Sequence, residues 1–341
     1  MYVCIIGGGV AGFTLACHLE KRDIPYTIFV LENDKSGGYG LTIKTESQKI
    51  LSQIGISFDE TEINDLHGFV CVNENMDVVS ETRHNNGNYV VARGKLVEKL
   101  RNKINQSNIV MMNTVDSIVQ NNNHVTVKID GQEYTYNYLI GADGINSNIR
   151  KMIGITNESC IIDTNYLLRI YEYKDGSRFH TIKNDVIEYV SNDEHKIRIF
   201  VKPCDEKMTS AQVFFRKELS DKLHDIIPKC FKDDFKDGYY ENKLRSSIDC
   251  DFYRDDFSRV ILIGDAHNGM VPYNGNGANT AIMNCSILAE MIPQNDDKVI
   301  TKSYYDRIKK KTRHNVDRSF NTFQRAHTKE HEGPIVRKYF S

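Results

Sequence analysis

The sequence has no tryptophan, no C-x-x-C pair, almost no net charge and no long apolar run. Its eight cysteines are scattered, at Cys4, Cys17, Cys71, Cys160, Cys204, Cys230, Cys250 and Cys285, without metal-ligand spacing. That excludes a cysteine-based metal site and fits reduced thiols in a cytosol. A formal charge of -2, from 44 basic and 46 acidic residues, gives no global attraction to nucleic acid. No stretch is long and apolar enough for an integral membrane segment. The apolar start lacks a basic leader and is interrupted by glycines, so it does not read as a secretory signal, and a cytoplasmic location is expected. No internal repeat or low-complexity segment occurs. With 40% hydrophobic and 26% charged residues, the 341-residue chain suits a globular protein of two domains, or one domain with an insertion.

The most informative stretch is the first. Tyr2-Val3-Cys4-Ile5-Ile6 is a short apolar run that predicts a buried parallel strand. Gly7, Gly9 and Gly12 follow as G-x-G-x-x-G, with Val10 and Ala11 between, and apolar residues at helical spacing come next. One glycine makes a tight turn, one lets backbone approach a pyrophosphate, and one lets the helix pack on the strand. Free N–H groups and the dipole at the helix start favour anionic phosphates. A second apolar run, Tyr26 to Leu31, ends at Glu32, about 20 residues beyond the glycines, where a carboxylate accepts hydrogen bonds from an adenosine ribose. These features predict a dinucleotide site.

Further along, Ser47 to Ile54 reads as a helix stopped by Gly55. Residues 68–72 and 76–80 read as a hairpin. Tyr89 to Ala92 runs into a helix that starts at Arg93 and carries Leu96, Val97, Leu100 and Ile104 on one face. An arginine there is a solvated cap, an ion-pair partner or a phosphate ligand. Asp130-Gly131 signals a hairpin turn, and an apolar strand then feeds Gly141-Ala142-Asp143-Gly144. From about 155 to 250 strands predominate, with Lys174–Ser177 and Asn192–Glu194 as expected hairpin turns. The aromatics Tyr166, Tyr171, Phe179, Tyr189, Phe200, Phe214 and Phe215 lie there, most of them expected in the core. A second strand, glycine-rich loop and helix spans 259–291, with Asp265 at the loop's start and Gly275-Asn276-Gly277-Ala278-Asn279 at its end. Residues 298–341 read as a helix whose basic run, 307–313, is a solvated face.

Three motifs in this order, G-G-G-V-A-G with Glu32, G-A-D-G at 141–144, and G-D-A-H…P-Y-N-G-N-G-A-N at 264–279, resemble the single-component (group A) FAD-dependent monooxygenases of the para-hydroxybenzoate hydroxylase type. Gly37 to Leu41, the helix ending at Gly55 and Arg93 are most similar to the tetracycline-inactivating members. Two departures stand out. Asn268 lies where the family's histidine falls, with His267 one place early. Asp34 or Lys35, and Leu41, stand where the tetracycline-inactivating enzymes carry an arginine and an aspartate.

The resemblance implies an α/β fold: a Rossmann-like FAD-binding domain (GR2 type) over 1–67, 88–155 and 251–295, an inserted antiparallel β-sheet substrate domain over 68–87 and 156–250, and a long C-terminal helix over 298–341. It implies that Gly7, Gly9, Val10, Ala11 and Gly12 hold the ADP part of FAD, with Glu32, Asn33 and Gly38 nearby. Arg93 would lie near the pyrophosphate and ribityl chain. Asp143 and Gly144 would support the pyrophosphate, Asp265 the ribityl or pyrophosphate region, and Pro272 with Gly275 to Asn279 would abut the isoalloxazine. Arg169 and Met270 are candidate substrate contacts. The implied activity uses NADPH or NADH as a transient reductant and dioxygen to hydroxylate an aromatic or polyketide-like small molecule through a flavin C4a-hydroperoxide. No metal, no nucleic acid and a monomer or weak homodimer are expected. The alternatives are a FAD-dependent reductase or oxidase on the same fold, or a flavin-binding protein without turnover. A flavin halogenase is disfavoured, because those relatives carry a W-x-W-x-I-P motif and this chain has no tryptophan.

Overall fold

Val3–Ile6 is the middle strand of a five-stranded parallel sheet. The computed structural model describes residues 1–31, 39–84, 86–191, 193–294 and 298–327. In that sheet the order is Val260–Leu262, Tyr138–Gly141, Val3–Ile6, Tyr26–Leu31 and Ile109–Met112, every pair parallel. Each residue of the middle strand is buried, as a strand covered on both faces must be. Helix Val10–Lys21 packs on this sheet and against helices Arg93–Lys103 and Gly277–Met291. Leu96, Val97 and Leu100 form the buried stripe of Arg93–Lys103, as their spacing predicts. Burying one such side chain contributes about 1.5–3 kcal/mol.

The Asp130-Gly131 turn is a true hairpin turn: both residues have positive φ, 48° and 82°, and join Val125–Ile129 to Gln132–Tyr136. A small antiparallel sheet of Gly40–Ile43, Tyr89–Ala92 and Ile63–Asp65 leads the chain back toward the glycine turn.

The remaining sheet has seven strands, in the order Tyr240–Ser247, Ile161–Glu172, Thr209–Arg216, Arg198–Pro203, Asp185–Val190, Gly68–Val72 and Val78–Arg83. Two expectations are corrected here. Lys174–Ser177 is no hairpin turn, because Ile161–Glu172 already has Thr209–Arg216 and Tyr240–Ser247 on its two sides. The sheet is also not wholly antiparallel: Asp185–Val190 and Gly68–Val72 pair parallel. Tyr240–Ser247 gave no sequence signal because its first four residues are exposed at the sheet edge and do not alternate.

Strand alternation sorts the aromatics that the sequence leaves unsorted. Phe200 and Phe214 join Leu168, Ile170, Val271, Tyr273 and Phe323 in a core on the inner face. Tyr171, Tyr189 and Phe215 lie on the outer face with Phe179 and Phe231. The closing helix, Thr301–His327, is 27 residues long. It buries Tyr304, Tyr305 and Ile308 against the parallel-sheet core and Phe323 and Ala326 against the inner-face core. Its basic run is a solvated face, with Arg307 paired to Glu290, Lys311 to Glu46 and Arg313 to Asp317.

Candidate cofactor cleft

The three glycines of the first turn do three different things. At Gly7 (φ 117°) a Cβ would sit 2.4 Å from the Ala142 carbonyl oxygen, so only a bare backbone passes there. At Gly12 a Cβ would sit 1.9 Å from the Gly7 carbonyl oxygen, which is how closely the helix presses onto the strand. At Gly9 the nearest atom to a Cβ is Nη2 of Arg93, 4.0 Å away. Gly9 therefore opens onto space, and the space is faced by a guanidinium. Gly9 caps Val10–Lys21 without any side-chain cap bond, and no acidic residue lies in the first turn. Those N–H donors and the arginine form a cradle for an anion.

Arg93 is brought there by the small sheet. Its backbone N–H donates to the Tyr39 carbonyl at 2.9 Å, tying the start of Arg93–Lys103 to the strand that follows. Across the cleft stands Asp265. Gly264 precedes it with φ 57°, and a Cβ at Gly264 would meet the Ala11 side chain at 2.7 Å. The glycine turn, the Arg93 helix and the Asp265 loop thus meet. The Asp265 side chain is open to the cleft but walled by protein, and this desolvation pushes its pKa up, with Arg93 pulling it down. The Tyr39 phenol is raised for the same first reason, and Arg93 lowers it while Asp265 raises it. These three groups sense one another.

The far wall is the 270–279 loop. Pro272, Gly275, Gly277 and Ala278 are partly exposed, whereas Asn276 and Asn279 are buried. The Asn279 amide donates to the Thr42 carbonyl at 2.8 Å and the Gly275 carbonyl at 2.6 Å, and its oxygen accepts from the Lys44 backbone N–H at 2.9 Å. The Lys44 ammonium donates to Asn276 Oδ1. Those two asparagines shape the loop with their side chains, and Gly275, Gly277 and Ala278 stay partly exposed beside them. Helix Gly277–Met291 has neither a side-chain cap nor a first-turn acid. Met270 lies beside Gly277, whose added Cβ would be 3.8 Å from Met270 Cγ.

Other candidates fall elsewhere. Glu32, Asn33 and Gly38 lie outside the described residues. Asp143 does not present a free carboxylate: it accepts from the backbone N–H groups of Asn148 at 2.7 Å and Ile149 at 3.1 Å and from the Ser147 hydroxyl. It caps the turn that Gly144, at φ 82°, completes. Arg169 is on the outer face of the seven-stranded sheet, paired with Glu241 and Ser220 and stacked 4.3 Å from the Tyr239 ring centroid. It shares the face of Leu167 and Tyr171, opposite Leu168 and Ile170 of the inner-face core. The displaced histidine of the loop is a core ring: His267 lies parallel to Tyr305 at 5.0 Å and packs on Phe252. Burial lowers its pKa to about 4. Behind it, a cavity of about 600 Å³ opens between residues 247–255 and the closing helix, lined also by His267 and Asn268. The residues that sequence reasoning missed are Tyr39, Thr42 and Lys44, which brace the cleft. Their only signal was their place in and beside the strand Gly40–Ile43, after the glycine-rich loop.

A family model described as "FAD binding domain" matches residues 1–319. A curated flavin-dependent monooxygenase from an unknown prokaryotic organism is 23% identical over 335 residues, covering 90% of this chain and 85% of its own. Among solved structures, tetracycline destructase Tet(51) superposes with a TM-score of 0.75 at 18% identity, covering 97% of this chain and 92% of its own. 2,6-Dihydroxypyridine-3-hydroxylase from Arthrobacter nicotinovorans gives 0.83 at 15% identity, covering 100% and 96%. At such identities the structural likeness is one of fold.

Proposed function

The chain belongs to the FAD-binding-domain family, and we propose that it is a monooxygenase that holds FAD in this cleft and hydroxylates an aromatic small molecule. The residues present suit the cofactor. The Gly9 backbone and the first-turn N–H groups of Val10–Lys21 would hold the pyrophosphate, and Arg93 would neutralise its charge. Asp265 would accept hydrogen bonds from the sugar-alcohol chain, and the partly exposed Pro272, Gly275, Gly277 and Ala278 would hold the ring. FAD supplies the redox chemistry: electrons from NADH or NADPH, and activation of dioxygen for transfer of one oxygen atom. The chain itself binds, orients and excludes water. Residues 68–87 and 156–250 act as the substrate domain, whose inner face is made apolar by a core that includes Phe200 and Phe214. Met270 stands at its border.

The single observation that carries this reading is Arg93 poised over the open Gly9 with Asp265 facing it. The relative named flavin-dependent monooxygenase and the fold neighbour that hydroxylates a dihydroxypyridine support the reaction class. The test is an absorption spectrum of the purified protein, followed by NAD(P)H oxidation with phenolic and heteroaromatic compounds. The expected result is a yellow protein whose NAD(P)H and dioxygen use rises with substrate and whose product is heavier by one oxygen. Turnover without oxygen incorporation would instead identify a reductase or oxidase. No turnover with any compound would leave flavin binding alone.

A further inference from the structure

On strand Arg198–Pro203 the side chains alternate between the two faces of the sheet. Ile199 and Val201 enter the outer-face core, so Arg198, Phe200 and Lys202 share the inner face. The two cations flank Phe200, each 5.9 Å from its ring centroid. They differ in one respect. Arg198 is neutralised by Glu188 at 2.6 Å, as Arg216 on the neighbouring strand is by Glu218 at 3.0 Å. The Lys202 ammonium has no carboxylate and no hydrogen-bond acceptor among the described residues. Resting on the reading of this sheet as the substrate domain, we infer that Lys202 is a specificity-determining residue whose ammonium pairs with an oxyanion of the substrate, a carboxylate or an ionised ring hydroxyl.

Strand packing puts this lysine beside the cleft. Gly40, the first residue of Gly40–Ile43, lies on its stem: a Cβ there would sit 3.3 Å from Lys202 Cβ and 3.0 Å from Cys204 Sγ. The Gln212 amide donates to the Gly40 carbonyl at 3.3 Å and ties the two sheets. Gly40 in turn pairs with Ala92, the residue before Arg93, and the Arg93 N–H donates to the Tyr39 carbonyl. Lys202 therefore stands where the seven-stranded sheet meets the small sheet that leads to Arg93 and the cleft. Its side chain is partly exposed, yet desolvation is the main influence on it and lowers its pKa to about 8. Asp265 combines exposure and desolvation in the same way at the cleft. A group that is both accessible and desolvated faces an internal chamber rather than bulk water. At neutral pH the amine is still charged, and a charge walled in by protein is costly unless something opposes it. Arg198 has its counter-charge within the fold, whereas that of Lys202 arrives with the ligand. An ammonium is a point charge without the fork of a guanidinium, so it suits a single oxygen of either anion.

The test uses the full-length, FAD-loaded protein and isothermal titration calorimetry, which needs no turnover. Two matched pairs of probes are titrated at neutral pH: benzoate against benzamide, and pentafluorophenol against pentafluoroanisole. Only the first member of each pair is an anion. The parent should bind one or both anions about tenfold or more tightly than their neutral partners. Lys202→Met should erase that preference while FAD affinity and melting temperature stay at the parent's level, and Lys202→Arg should keep it. The pair that shows the preference tells which oxyanion the ammonium holds. The assignment is overturned if the parent binds anion and neutral partner alike in both pairs, or if the preference survives in Lys202→Met. It is overturned as well if Lys202→Met weakens FAD binding, which would make the lysine a cofactor ligand. Failure here is distinct from failure of the monooxygenase reading: a protein that sorts the anions through Lys202 yet transfers no oxygen loses the activity and keeps this assignment.

Discussion

The Arg93 guanidinium stands over the bare backbone of Gly9, with Nη2 4.0 Å from where a methyl group would be. Gly9 and Gly12 belong to one motif, yet their reasons for being glycine differ, and alanine at each should separate them. Gly9→Ala meets no protein atom closer than that guanidinium, so the apoprotein should keep its melting temperature while FAD affinity falls about tenfold or more, a change of at least ~1.4 kcal/mol. Gly12→Ala drives a methyl into the Gly7 carbonyl, and should cost about 1–3 kcal/mol of stability even without FAD. Thermal melts and flavin-fluorescence titrations of the two variants decide it.

Asp265 has a raised pKa, so its charged form is disfavoured in the folded apoprotein. The folded state then holds its proton more tightly than the unfolded chain, and as pH falls toward and through the range just above the ordinary value of 3.8 this group gains stabilising effect. Asp265→Asn removes the penalty. The apo variant should melt higher at neutral pH than the parent while binding FAD more weakly. A variant that melts lower and binds FAD as well as the parent would break the link between this residue and the cleft.

Glu188 and Arg198 form an ion pair at 2.6 Å with both side chains almost wholly buried. Desolvation pushes the Glu188 carboxyl up and Arg198 pulls it down. Removing one partner leaves the other charge stranded, so Glu188→Ala should cost about 3–5 kcal/mol in urea unfolding. Replacing both by methionine should recover most of that loss. If the double variant is no better than the single one, the pair serves the fold through more than its charges.

His267 has a pKa lowered to about 4 from the ordinary 6.5, because burial disfavours its charged form. The unfolded chain therefore binds a proton below pH 6.5 that the folded chain refuses. This stability contribution is complete above pH 6.5 and is lost as pH falls toward 4, by about 2 kcal/mol at pH 5. His267→Phe keeps a ring between Phe252 and Tyr305 and removes the titration. Its melting temperature should fall less than the parent's between pH 7 and pH 5.

The glycine turn was legible because it is a backbone requirement: a side chain at Gly7 or Gly12 collides whatever surrounds it. Asp265, Pro272 and the glycines after it were legible by their place between strand and helix. Asp143 was harder, because a carboxylate after Ala142 serves equally well as a ligand or as a cap. Ser147, Asn148 and Ile149 decide for the cap, and only the fold shows their donors converging. Arg169 was hard to place for a simpler reason. Alternation states that it shares a face with Leu167 and Tyr171, but not which face looks at the cleft. Tyr39, Thr42 and Lys44 act mainly through backbone carbonyls, an N–H and one ammonium on an asparagine, and such contacts leave no signature in residue type.

The helix Thr301–His327, about 40 Å long at the usual rise per residue, is anchored on the parallel-sheet core at one end and on the sheet above the cleft at the other. A rigid strut of this kind denies the two layers a hinge. Cutting the rod ahead of Phe323 would free the upper layer to swing, and the enzyme would trade a guarded chamber for an open one.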